Sequence, residues 1–319
     1  MLNTLVVRLD RRSFVLSLAS ATVAACRKEQ GDGLARPSRT ARIRVGAIEL
    51  NTVQIGPSDG AVRLVVHGGP GLDHHYLRPA FDELADQRTR VVYVDLRGHG
   101  ASEAPPDAEG YTIAAAAGDL AQLARRLSER APIDVIGHDF GGAIALELAA
   151  THPECVRRLV LVSPVRDGRQ LRAMPERARV ALGESGVREL ASLSTPQGTL
   201  RDPRDLVKLF RTLAPMWWAQ SPSPQAIEAL ARGVRYRAVA DEHFLVQLRA
   251  WDGRTIAERV RAESLVISGE LDRTFTPTES RSVADALAHG RFASVAQAGH
   301  LPFVEQPRAF FGIVRGFLR

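Results

Sequence analysis

The sequence predicts an α/β protein: a mostly parallel sheet covered by helices, with a helical cap inserted late in the chain. Two observations carry this. Short β-branched apolar runs, "VRLVVHG", "RVVYVDLRGHG", "IDVIGHD", "RLVLVSP" and "SLVISGE", recur between segments of helical pattern. Such continuous apolar strands suit a sheet buried on both faces, and their alternation with helices suits parallel crossovers. The rhythm then breaks between about 166 and 257, where no apolar strand is legible and arginine-rich helical patterns are punctuated by Pro175, Pro196, Pro203, Pro215, Pro222 and Pro224.

The elements follow in order. "RIRVGAIELNTVQIG" alternates with period two and reads as an opening hairpin. Helices are expected over Pro79 to Gln87, Ile113 to Glu129, Gly141 to Thr151, Pro277 to Leu287 and Pro307 to Leu318. The core is therefore assigned to 41–165 and 258–319, and the cap to 166–257. At 319 residues the chain is long enough to bury a sizeable core.

The first forty residues have a different character. Arg11 and Arg12 precede an apolar run from Phe14 to Ala25. That run is shorter than the roughly 20 residues a membrane-spanning helix needs. A basic flank, a short apolar core and small residues at its end describe an export signal over 1–26. The paired arginines resemble a twin-arginine signal. The ending Val23-Ala24-Ala25-Cys26 resembles a bacterial lipobox, which implies lipidation of Cys26 and an anchored periplasmic or cell-envelope protein. Residues 27–40, polar and containing Gly31, Gly33 and Pro37, read as a tether.

The net charge of +6 comes from arginines dispersed among acids, with Lys28 and Lys208 the only lysines. Dispersion favours a solvated basic surface over a nucleic-acid footprint. Cys26 and Cys155 are too few and too far apart for a disulfide framework or a metal cluster. His74-His75 is the one histidine pair, and no carboxylate or cysteine pattern beside it points to a metal. No phosphate loop, haem or flavin signature appears, so no cofactor is expected.

The chemistry concentrates in Gly137-His138-Asp139-Phe140-Gly141-Gly142, between a predicted strand and a predicted helix. Glycines flanking a central residue allow a sharp turn that lifts that residue to a helix N-terminus. Here it is Asp139, whose bland alternative is a helix N-cap. Upstream, His67-Gly68-Gly69-Pro70-Gly71 also ends a strand and can turn an N–H towards an oxyanion. Gly69 and Phe140 are the expected donors. Downstream, "SGELDRTFTP" carries Asp272 and "AGHLPFVEQP" carries His300. Glu270 and Asp167 are the competing acids. His138 and His99 are read as structural.

Nucleophile, acid and histidine in that order resemble the α/β-hydrolases, and five motifs agree over nearly all of 41–319: HGGPG, "DLRGHGAS", GHDFGG, the Asp272 loop and the His300 loop. GHDFGG resembles the aspartate-nucleophile branches, epoxide hydrolases and haloalkane dehalogenases. HGGPG resembles prolyl iminopeptidases, whose members normally carry serine and hold the substrate amine with cap acids; Glu228, Asp241 and Glu242 are available here. An aspartate attacks saturated carbon and forms an alkyl ester, which His300, oriented by Asp272, would hydrolyse. The sequence departs from the dehalogenase pattern at Phe140, where a halide-binding Trp is common. It departs from the epoxide hydrolase pattern in offering one cap tyrosine, Tyr236, as proton donor where two are common. His67, Trp217, Trp218 and Trp251 are candidate pocket residues. The expected function is hydrolysis of epoxides or related small apolar electrophiles. The alternatives are a dehalogenase, a peptidase- or esterase-like hydrolase, and an inactive binding module. A small-molecule substrate is the expected partner.

Overall fold

The computed structural model describes residues 38–129, 131–196 and 198–319. The export signal, Cys26 and most of the tether lie outside the described residues. The tether's last residues do not: Ser38, Arg39 and Thr40 open the first strand, three residues before the expected start of the core.

Eight strands form one sheet in the order β1-β2-β4-β3-β5-β6-β7-β8. They are β1 (Ser38–Val45), β2 (Ile48–Ile55), β3 (Ala61–Val66), β4 (Thr89–Val94), β5 (Ile133–His138), β6 (Val156–Val162), β7 (Glu263–Gly269) and β8 (Gly290–Val295). β1 and β2 are the expected hairpin, antiparallel to each other, and β2 is antiparallel to β4. All remaining neighbours are parallel. The fold is thus an α/β-hydrolase fold with a mostly parallel sheet flanked by helices.

The central strands explain their own apolar runs. All six residues of β5 are buried, as are all six of β4, because helices cover both faces. One core cluster packs Leu64, Val94 and Val135 against the helix α1 (Ile113–Leu127) and the helix α2 (Phe140–Thr151). The other packs Val65, Tyr93 and Ile136 against Phe81, Phe303, Phe310 and Phe311. Helix α2 is apolar nearly all round, as a helix sunk between sheet and neighbours must be.

The expected helix over 79–87 is a short 3-10 helix, Ala80–Leu84. Between β6 and β7 the described residues hold helices and two isolated bridges. These helices are α3 (Gly168–Leu193), α4 (Leu206–Trp217), α5 (Pro224–Ala231), α6 (Ala238–Ala250) and the short α7 (Arg254–Ala257). Two prolines read as punctuation sit inside helices instead: Pro175 within α3 and Pro215 within α4. The real break in α3 is Gly183, at φ 65°.

Candidate active site

Strand β5 ends in a forced reversal. Asp139 stands between β5 and α2 at φ 54°, ψ −120°, a region that side chains rarely adopt. Holding it there costs on the order of 1–3 kcal/mol. Its neighbours explain the glycines. A Cβ at Gly137 would run into the Gly141 carbonyl, and one at Gly141 into the carbonyls of Val66 and His67. Asp139 occupies the N-cap position of α2, but its side chain makes no capping hydrogen bond. Instead its Oδ2 accepts the Gly69 N–H at 2.9 Å. Of the two expected donors, Gly69 is bonded to this side chain and Phe140 opens the helix that follows it. Gly68 lies so close that an added Cβ would come within 2.8 Å of the Asp139 Cβ and Oδ2.

His300 is buried and its Nδ1 lies 3.0 Å from Asp272 Oδ2. A carboxylate only accepts, so this nitrogen carries the proton and Nε2 is left as the base. The other Asp272 oxygen accepts the N–H groups of Thr274 and Phe275 at 2.8 and 3.0 Å, which fixes the carboxylate. The two competing acids are elsewhere. Glu270 is exposed. Asp167 caps α3, accepting from Arg169 and Gln170 in a capping box.

Burial raises Asp139 to a pKa of about 6, against the opposing pull of His300 and the two backbone donors. Burial alone would lower His300, but Asp272 and Asp139 outweigh it and its pKa is raised. The two shifts describe a buried carboxylate interacting with an imidazole.

Behind these groups runs a directional hydrogen-bond chain with no signature in the sequence. The Gly68 N–H donates to the Tyr76 hydroxyl at 2.6 Å, and that hydroxyl donates to His138 Nδ1 at 2.7 Å. His138 Nε2 donates to the His300 carbonyl at 3.1 Å. A carbonyl cannot donate, so the direction is fixed throughout. His138, read as structural, therefore ties the nucleophile turn to the histidine loop, and burial keeps it neutral. Glu305 holds the same loop from the other side. Its Oε1 accepts Gly299 N–H and its Oε2 accepts Ala219 N–H, both at 2.7 Å, while His300 N–H donates to the Trp217 carbonyl at 2.7 Å.

Several expected pocket residues have other duties. His67 is fully buried: its Nδ1 donates to the Gly68 carbonyl and its Nε2 accepts from Leu96 N–H, so the ring braces the loop. Trp251 gives its indole N–H to Glu147 at 3.0 Å. Trp218 is buried among apolar side chains, and the Trp217 ring packs edge-on against Phe210. His99 is a packing residue against Phe140 and Phe244. Asp73, His74 and His75 do place ligand-type atoms within 4.8 Å of one another, so a carboxylate does stand beside the histidine pair, contrary to the expectation. Both Asp73 oxygens, however, already bond to His75 Nδ1, and they also accept from the backbone of His75 and Arg235.

Tyr236 is buried, and its hydroxyl donates to Asp241 Oδ2 while accepting the Leu200 N–H at 2.8 Å. Its proton is thus committed to Asp241, against the expectation of a donor free to meet substrate. Of the three cap acids, Glu228 and Glu242 are exposed and Asp241 is turned inward. Gly71, two residues beyond Gly69, touches both Tyr236 and Asp241: a Cβ there would meet Tyr236 at 2.6 Å and Asp241 at 2.8 Å. Burial, followed by the charges of Asp139 and Glu242, raises Asp241 to about 7 although Tyr236 opposes the shift. A groove of about 530 Å³ opens beside this pair, lined by Ser102, Tyr111, Tyr236, Arg237 and Val239.

Known proteins share this architecture. A proline iminopeptidase of Chitinophaga pinensis is 22% identical over 283 residues, 85% of this chain and 94% of the relative. The structure of a proline iminopeptidase-related protein from Thermus thermophilus matches with a TM-score of 0.69 and 26% identity, covering 88% of this chain and 97% of that one. A thermophilic esterase from Thermogutta terrifontis matches with a TM-score of 0.67 and 25% identity, covering 88% and 98%. The family model for the alpha/beta hydrolase fold matches residues 64–307, from β3 through the Asp139 turn to the His300 loop, and the chain is a hydrolase belonging to that family.

Proposed function

We propose that this hydrolase opens small apolar electrophiles, epoxides before alkyl halides, through a covalent ester on Asp139. One observation carries the reading: Gly69, an expected oxyanion donor, gives its N–H to Asp139's own carboxylate. In acyl transfer such donors wait for a substrate carbonyl. Here Oδ2 already fills their place, which suits a two-step reaction on saturated carbon.

In the first step the free oxygen of Asp139 attacks carbon and forms the ester. In the second, water activated by His300 Nε2 adds to the Asp139 carboxyl carbon. Negative charge then develops on the oxygen that the Gly69 N–H already holds, so that stabilising dipole needs no rearrangement. Asp272 holds the imidazole tautomer and balances its positive charge once it accepts the water's proton. Phe140 has no ring donor and the Trp251 indole N–H is bound to Glu147, so the aromatic donors that would favour a leaving halide are weakly represented.

The test is trapping. In His300→Gln the second step should stall, and intact-mass measurement should show a one-to-one adduct with styrene oxide on a peptide containing Asp139. Asp139→Ala should give none. An unmodified protein after prolonged exposure to a panel of epoxides and alkyl halides would sink the proposal.

A second reading draws on the relatives named as proline iminopeptidases and assigns the buried Asp241 to a substrate amine. It expects turnover of prolyl anilides without any adduct. For cellular location, we propose export and anchoring through Cys26, on the leader pattern alone.

A further inference from the structure

We propose that Asp241, held by Tyr236, is the acid that protonates the oxygen released when Asp139 opens an epoxide. This rests on the Asp139 ester reading and assigns its missing proton donor. Two observations on the geometry and one on charge support it. The Tyr236 hydroxyl is saturated, donating to Asp241 and accepting from Leu200, so it has no second proton to offer a substrate. Asp241 is buried at the start of α6, against the same glycine loop that holds Asp139. One loop thus adjoins both carboxylates: the Gly69 N–H bonds to Asp139, and Gly71 packs against Tyr236 and Asp241. Finally, the titratable groups acting on Asp241 are Tyr236, Asp139 and Glu242, and two of the three are acids whose charge favours a proton on Asp241.

The steps balance. An Asp139 oxygen bonds to the epoxide carbon as the ring C–O bond breaks, and the departing electron pair stays on the ring oxygen. That oxygen takes the proton of Asp241, leaving an alcohol and an Asp241 carboxylate that keeps the Tyr236 O–H bond. Water then cleaves the ester with His300 as base, the diol leaves, and the proton released as Asp139 ionises again restores Asp241. The net reaction is epoxide plus water to diol. The division of labour follows from environment: two desolvated carboxylates feel each other's charge, and the one with the Gly69 N–H and the imidazole is the one that ionises.

The experiment measures single-turnover alkylation by mass in the His300→Gln protein, from about pH 5 to 9, with styrene oxide and with an alkyl bromide whose leaving group needs no proton. Asp241→Asn keeps an acceptor for Tyr236 but removes the acid. Its epoxide rate should fall about 100-fold or more, the usual scale for losing a general acid, and far more than its bromide rate. The alkaline limb of the epoxide profile, near pH 7, should disappear with it. Tyr236→Phe, which deletes only the supporting bond, should retain that limb and move it to higher pH. An Asp241→Asn protein that alkylates with an unchanged profile, or slows equally on both electrophiles, overturns the inference. If Asp241→Asn does not fold, a Tyr236→Phe profile without any alkaline limb overturns it. No adduct from either electrophile in the parent would instead overturn the Asp139 reading.

Discussion

Asp139 combines a strained backbone with a carboxylate held away from its ordinary range. Its folded-state pKa, about 6, lies above the 3.8 of an unperturbed Asp, so the folded state binds a proton more tightly than the unfolded chain. Stability from this group is therefore complete below pH 3.8 and is lost as pH rises through 6. Asp139→Asn should accordingly be inactive yet more stable above pH 6. Because the residue keeps some accessible surface, a gain of about 1–3 kcal/mol is expected. It would be read as a higher Tm at about pH 8 that vanishes at about pH 4. A Tm unchanged at both pH values would contradict the buried, ionised carboxylate. Catalysis has the opposite sign. As the nucleophile takes up its proton, kcat/KM should fall with decreasing pH below about 6, roughly tenfold per unit at the acid end.

At the scale of elements, the turn after β5, the loop after β3 and the loop after β8 act as one bracket, joined by Gly68, Tyr76, His138 and the His300 carbonyl. Tyr76→Phe removes the acceptor for Gly68 and the donor to His138 together. It should lower kcat by about 10- to 100-fold with KM little changed, through misplacement of His300 rather than loss of any reacting group. Gly68→Ala should be harsher, since its methyl would displace both Asp139 and the Tyr76 hydroxyl. Steady-state kinetics with a circular-dichroism check of folding decides both.

The proposed trio of Asp139, Asp272 and His300 was legible in the sequence because each member sits in a glycine-marked loop at the end of a parallel strand. The bracket was not: Tyr76 and His138 are sixty-two residues apart, and only the sheet order β3-β5 brings them together. The pocket aromatics misled for a related reason. Trp251 and His67 look like lining, but burial obliges their N–H groups to find partners inside the protein.

At the scale of the molecule, the sheet is a platform, and the helical insertion between β6 and β7 is what closes over it. The alternation of strands and helices made the platform readable. The helical segment has periodicity but no signal for how its helices lie. Outside the described residues, Cys26 carries its own prediction. Cys26→Ala should move the full-length protein from the membrane to the soluble fraction without changing turnover per molecule, and a parent protein found soluble with its leader intact would refute the anchor.

The hydrogen bonds from His300 to Trp217 and from Ala219 to Glu305 make the end of α4 a doorpost: it cannot swing outward without pulling the catalytic base off its mark. On the Asp139 reading, a substrate that reaches the site without moving this post finds His300 already cocked.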